Sequence, residues 1–158
     1  MKKILILTGA LILCTKTGFA ITATGNASVI IEQAITATQT QQMNFGIITP
    51  LASAGTAILS PAGAVSSGTL SFYGTPAAAE FSITAAPSTT LTITYSNGTV
   101  TSGGNNMTID TFTSTSTPSL NTTDGTGALA LLIGGTLHVG ANQPSGTYTG
   151  TYTVTVSY

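Results

Sequence analysis

From Gly146 to Tyr158 the chain alternates without a break between two kinds of side chain. Tyr148, Gly150, Tyr152, Val154, Val156 and Tyr158 fall on one side, and Thr147, Thr149, Thr151, Thr153, Thr155 and Ser157 on the other. Successive strand residues point to opposite faces, so the pattern predicts a half-buried β-strand with one apolar and one hydroxylated face. A slip of one residue would turn every aromatic outward, which fixes the register. The first six residues named are therefore the candidate core or groove face of a last strand.

A second alternation runs near the amino terminus. Ile21, Ala23, Gly25, Ala27, Val29 and Ile31 occupy alternate positions, with Thr22, Thr24, Asn26 and Ser28 between them. Residues 33–42 are polar, a weak strand or a linker, and Met43–Thr49 reads as a strand closed by Pro50. Short strand patterns follow at Thr56–Ser60, Thr69–Tyr73, Glu80–Ala85, Thr90–Ser96, Asn106–Phe112, Ala128–Ile133 and Thr136–Val139. Asn97-Gly98 is the strongest hairpin signal, since both central residues of such a turn need φ > 0. Asp124-Gly125 and Asn142–Gly146 mark further turns, and Gly134-Gly135 is expected to break the run in which it sits. Glycine and proline recur too often for long helices. About nine short, mainly antiparallel strands predict an all-β, immunoglobulin-like β-sandwich over residues 43–158, preceded by an extension over 21–42.

Residues 1–20 carry a different signature. Lys2 and Lys3 precede an apolar run from Ile4 to Leu13, and Gly18-Phe19-Ala20 supplies small residues for cleavage after Ala20. This is the pattern of a secretory signal peptide, with an apolar run too short to span a bilayer. The expected destination is the periplasm, the cell surface or the medium. Beyond Ala20 the chain has no Lys, Arg or Cys and four carboxylates, Glu32, Glu80, Asp110 and Asp124, a formal charge of −4. Nucleic acids and anionic membranes are gripped through Lys and Arg, so neither is an expected partner. Threonine is the most frequent residue, which suits half-wet pleated surfaces.

Little in the chain supports catalysis. His138, the single histidine, shares a strand face with Thr136, and no nucleophile motif such as Gly-x-Ser-x-Gly accompanies it. One histidine without cysteine makes no ordinary zinc site, and Asp124-Gly125 lacks the further carboxylates of a calcium loop. No catalytic residue, metal or cofactor is expected. Tyr73, Tyr95, Tyr148, Tyr152 and Tyr158 offer a surface on which a sugar ring would stack, the basis of an alternative reading as a carbohydrate-binding, adhesin-like module.

The block Gly134–Tyr158 resembles a bacterial exported family known as domain of unknown function 4402, supported by Met43-Asn-Phe-Gly46, Pro61-Ala-Gly63, Ala86-Pro87 and Met107–Phe112. That family is similar in turn to pilin-type and spore-coat-type subunits. The resemblance implies a sandwich that lacks one strand and takes it from the amino-terminal extension of a neighbour. It makes Ile21, Ala23, Gly25, Ala27, Val29 and Ile31 the candidate donor residues. It also implies copies of the chain or related subunits as partners, with a periplasmic chaperone and an outer-membrane usher. Unlike many pilins, the chain has no cysteine pair. The sequence leaves open whether residues 21–31 complete their own sandwich or another's.

Overall fold

A computed structural model describes residues 18–115 and 121–158. Most of the expected signal peptide and the loop around Pro118 lie outside the described residues. The chain divides into two units, one ending at Ile31 and the other running from Glu32 to Tyr158. The second unit therefore starts ahead of the boundary expected at Met43.

Residues 18–31 hold no strand and every one is exposed, Ile21 by 91% and Ile31 by 88%. The strand expected over 21–31 is thus not formed in this structure. Alternation prepares a face, but a strand exists only where a neighbour supplies partners for its N–H and C=O groups.

Among the described residues, the second unit contains ten strands and no helix. They are β1 (Thr36–Gln41), β2 (Ile47–Thr49), β3 (Gly55–Leu59), β4 (Val65–Ser66), β5 (Ser71–Tyr73), β6 (Ala79–Thr84), β7 (Thr92–Ser102), β8 (Asn105–Ser114), β9 (Ala128–Val139) and β10 (Thr149–Ser157). Every pairing is antiparallel. The main sheet runs β1-β6-β9-β8-β7-β10, with β3 and its hairpin partner β4 attached to β9, and β2-β5 form a small second sheet. The all-β sandwich of short antiparallel strands is what the structure shows, its main sheet curled toward a barrel.

β9 is the axis of the fold. Its first half pairs with β6 and its second half with β3 along one edge, while β8 occupies the other edge. Leu131, Ile133, Leu137 and Val139 alternate inward and are almost fully buried. Gly134-Gly135 does not break this strand as expected. It lies where β9 passes from β6 to β3, and a Cβ on Gly134 would stand 2.0 Å from the Leu59 carbonyl oxygen. Glycine is there because another backbone comes too close for a side chain.

The turn expected at Asn97-Gly98 is also absent. Those residues lie inside β7, opposite an irregularity between Thr151 and Thr153 of β10. A Cβ on Gly98 would meet the Thr151 carbonyl at 2.8 Å, so this glycine too serves a close backbone approach. The β7–β8 hairpin turns at Gly103 and Gly104, both with positive φ. The Asp124-Gly125 turn is real: the Asp124 carboxylate accepts from the Thr126 and Ala128 N–H groups at 2.8 and 2.9 Å and from the Thr126 hydroxyl at 2.7 Å.

Two apolar clusters fill the interior. One centres on Ala57, Leu59, Leu137 and Val139, the other on Ile83, Leu91, Leu131 and Ile133. Phe112 and Met43 pack against both.

Candidate functional site

The main sheet ends in two strands that each have one partner. β1 pairs with β6 and β10 with β7, and their outer edges face no other described strand. The curl of the sheet brings these two edges to opposite sides of one groove of about 910 Å³. Ala37, Gln39 and Gln41 of β1 form one wall, and Gly150, Tyr152 and Val154 of β10 the other. Phe81, Val100, Ile109 and Met43 line the space between. All six residues of β1 are exposed, as expected of a strand flanking an open seam.

From Tyr152 to Val156 the β10 residues singled out from the sequence alternate in burial with the threonines between them. Tyr148, Tyr152, Val154 and Val156 are half-buried, Gly150 and Tyr158 exposed, and Thr149 to Ser157 on the opposite face lie in solvent. Gly150 is another close approach: a Cβ there would lie 1.9 Å from the Thr99 carbonyl of β7. Tyr152, which lines the seam, belongs to an aromatic stack. Phe112 lies 5.0 Å from Tyr152 and 5.6 Å from Tyr95, near parallel to both, and Phe81 meets Tyr152 edge-on at 6.5 Å. Burial, with Tyr95 nearby, pushes the Tyr152 phenol up to about 12, so it stays neutral. Its buried hydroxyl has no hydrogen-bond partner among the described residues.

One end of the seam is pinned and the other is open. The Tyr158 hydroxyl donates to the Gln33 carbonyl just before β1 and accepts from the Ala86 N–H at 3.2 Å just after β6. Since β10 ends where β1 begins, the two edges run in opposite directions. At the far end the seam joins a smaller pocket of about 480 Å³, sharing Met43, Asn44, Val100, Ile109 and Tyr148 with it. Met107, Leu137 and Val139 line this pocket, and Tyr148 closes part of its rim, donating to the Pro144 carbonyl at 2.8 Å and accepting from Gln143 at 2.9 Å. Among the described residues, no Asp, Glu, Lys, Arg or His lines either space.

The tyrosines do not gather into one stacking surface. Tyr95 and Tyr152 turn into the stack, Tyr148 and Tyr158 spend their hydroxyls on the backbone, and Tyr73 projects from the small sheet, 62% exposed.

The remaining polar chemistry lies elsewhere. His138 Nε2 stands 2.9 Å from Asp110 Oδ1, which also accepts from the Thr111 hydroxyl at 2.9 Å. Sequence reasoning missed this pair, because it depends on the β8–β9 register, in which His138 stands opposite Thr108 and one diagonal step from Asp110; a bulge follows between Asp110 and Thr113. The bulge places Thr111 at a positive φ of 47°, rare for a β-branched residue. The carboxylate sits between hydroxyl and imidazole, whereas a catalytic triad needs the imidazole between the other two. No group of three or more potential metal ligands occurs among the described residues.

The hydrogen bond from His138 holds the Asp110 carboxyl below its ordinary value, and the Thr126 hydroxyl, with the Ala128 and Thr126 N–H groups, does the same for Asp124. A carboxyl whose folded-state pKa is depressed stabilises the fold fully above its ordinary value of 3.8. That contribution is lost as pH falls through the depressed value. The thermal midpoint is therefore expected to be flat from neutrality to about pH 5 and to drop below about pH 4. Circular dichroism melts should show a weaker acid drop for the Asp110→Asn, Asp124→Asn double variant. An equal drop would assign acid sensitivity to other groups.

Residues 35–158 match the family described as Domain of unknown function (DUF4402). The chain belongs to this family. No curated protein and no solved structure matches it significantly. In this DUF4402 chain the matched span contains both walls of the seam, while residues 21–31 precede it.

Proposed function

We propose that this protein is an exported structural subunit of a surface fibre or coat, pilin-like in its logic, whose sandwich is completed by a β-strand from outside the domain. One observation carries the reading: two unpaired strand edges flank a groove whose floor is apolar and uncharged. A strand laid there gains main-chain hydrogen bonds from one or both edges, and alternate side chains reach the floor, the usual mode of strand addition. Left open, the same edges invite uncontrolled pairing, because no charged residue guards β1 or β10. Residues 21–31 have the matching character, with Ile21, Val29 and Ile31 exposed and the residues between the apolar positions able to face solvent. A chaperone and an outer-membrane usher are the partners that would keep the seam covered until assembly.

Deleting residues 21–31 is expected to abolish polymers seen by negative-stain microscopy while leaving a folded domain. A synthetic peptide of residues 21–31 should bind that truncated domain and raise its thermal midpoint. Polymers that survive the deletion, together with a peptide that leaves the midpoint unmoved, would remove strand complementation from consideration.

A further inference from the structure

The pocket of about 480 Å³ is bounded by core residues of β8 and β9 that the seam does not reach: Met107, Leu137 and Val139 line the pocket alone. We propose that this pocket is a binding site for an unbranched acyl chain, its hydrocarbon tail inside and any charged head left at the rim. The site is independent of what fills the seam.

One wall is the inner face of β7, β8 and β9. Val100 pairs with Met107 and Ile109 with Leu137, so neighbouring strands set their apolar side chains level with one another. A second wall is the segment from Met43 to Pro50, which bends at Gly46. That glycine has φ of 77°, and a Cβ on it would stand 2.7 Å from the Tyr73 carbonyl oxygen. The third wall is the loop from Gln143 to Tyr148, and it is held in place by the chain itself. The Asn142 N–H donates to the Leu51 carbonyl at 2.8 Å, which ties the loop to the end of the second wall. The hydrogen bonds from Gln143 to Tyr148 and from Tyr148 to Pro144 brace it internally. A space kept open by backbone ties is not closed by side chains relaxing into it.

The lining decides what fits. Among the described residues no ionised side chain lines the space, so a phosphate or carboxylate would find no counter-charge inside, and burying one unpaired is costly. The Tyr148 hydroxyl and the Gln143 amide are spent on the loop, and the Asn44 side-chain oxygen accepts from the Gly46 N–H at 2.8 Å. These groups have little left for the hydroxyls of a sugar. Met43 and Met107 are flexible and polarisable, suited to a tail with many conformers more than to one rigid ring. In size the space is about three times the ~150 Å³ apolar cavity that holds a benzene ring. The mouth of a small, curled β-sheet is a common seat for such ligands.

The methionines supply the test, because the full chain has three and each reports a different place. Met107 lines the pocket alone, Met43 lines both pocket and seam, and Met1 precedes the apolar run from Ile4 to Leu13. The full chain is isotope-labelled at its methionine methyls for NMR, with signals assigned from Met43→Leu and Met107→Leu. It is then titrated with dodecanoate below its micelle concentration, and separately with phosphatidylcholine vesicles. Dodecanoate is expected to shift the Met107 and Met43 signals together and saturably, at one acyl chain per protein. The same shifts with vesicles would show that the tail is drawn from a bilayer, and their absence that it is taken from solution. Met107→Trp, which fills the space, should weaken dodecanoate on the order of tenfold, the share of a few chain atoms. Thr108→Trp, one residue on and exposed on the opposite face, should leave it unchanged. If Met107→Trp fails to fold, the methyl shifts of the unsubstituted chain decide alone. A shift of Met43 without Met107 would put the tail in the seam, and a shift of Met1 alone would put it on the amino-terminal apolar run. Either result would overturn the proposal, as would the lack of a saturable shift with both probes.

Discussion

Gly134→Ala is expected to unfold the domain or bring it to the edge of unfolding. The added methyl would stand 2.0 Å from the Leu59 carbonyl oxygen and 2.7 Å from the Ser60 carbonyl carbon. Both atoms are backbone, so no side chain can swing aside, and β3 must separate from β9 where the two strands first meet. Overpacking of a well-filled interior costs ~1–3 kcal/mol. With only backbone to yield, the loss here should reach or exceed ~3 kcal/mol, a large part of the ~5–15 kcal/mol that holds a typical domain together. Gly125→Ala is the control, since a Cβ there meets nothing within 4 Å. Urea titrations should show a sharply lower midpoint for the first variant and almost none for the second. Equal midpoints would mean that β9 does not cross from β6 to β3 at Gly134.

Phe112→Ala is expected to have the next largest effect. Its ring stacks on Tyr152 and Tyr95 and packs against both apolar clusters, so it couples the two halves of the interior. Removing a buried phenylalanine costs ~3–5 kcal/mol, and the partial exposure of this one points to the lower end, ~3 kcal/mol. Phe112→Leu keeps much of the volume and should cost clearly less. The substitution also withdraws support from Tyr152, so binding of the 21–31 peptide should weaken beyond what the stability loss explains. A truncated domain that keeps full peptide affinity with Phe112→Ala would show that the aromatic stack takes no part in shaping the seam.

Much of the architecture was legible because it rests on period two. The face of β10 could be read from Tyr148 to Tyr158 by alternation, whereas β9 could be read only as two separate pieces on either side of Gly134-Gly135. What could not be read were the places where backbone meets backbone. Gly134-Gly135 and Asn97-Gly98 look like punctuation in a linear sequence, since glycine at a turn and glycine under a crossing strand are written identically. The bulge at Asp110–Thr113 was hidden for a related reason: a strand that gains one residue changes face midway. The positions on either side of that bulge then obey opposite parities, while the approach of His138 to Asp110 depends on the pairing register of β8 with β9. The groove was harder still. Its walls come from the two ends of the domain, and only the sheet order shows that they face each other. The last residue could be assigned to an apolar face, yet its hydroxyl's hold on Gln33, 125 positions away, has no local signature.

The central position of β9 also bears on when the protein can fold. Its pairing partners begin at Gly55, Ala79 and Thr108 and β9 itself only at Ala128, so the ladder at the heart of the sheet closes only after about four-fifths of the chain is present. Topologies dominated by such distant pairings fold slowly and expose their edges meanwhile. Until β9 is present, β3, β6 and β8 each keep an open edge that only β9 closes.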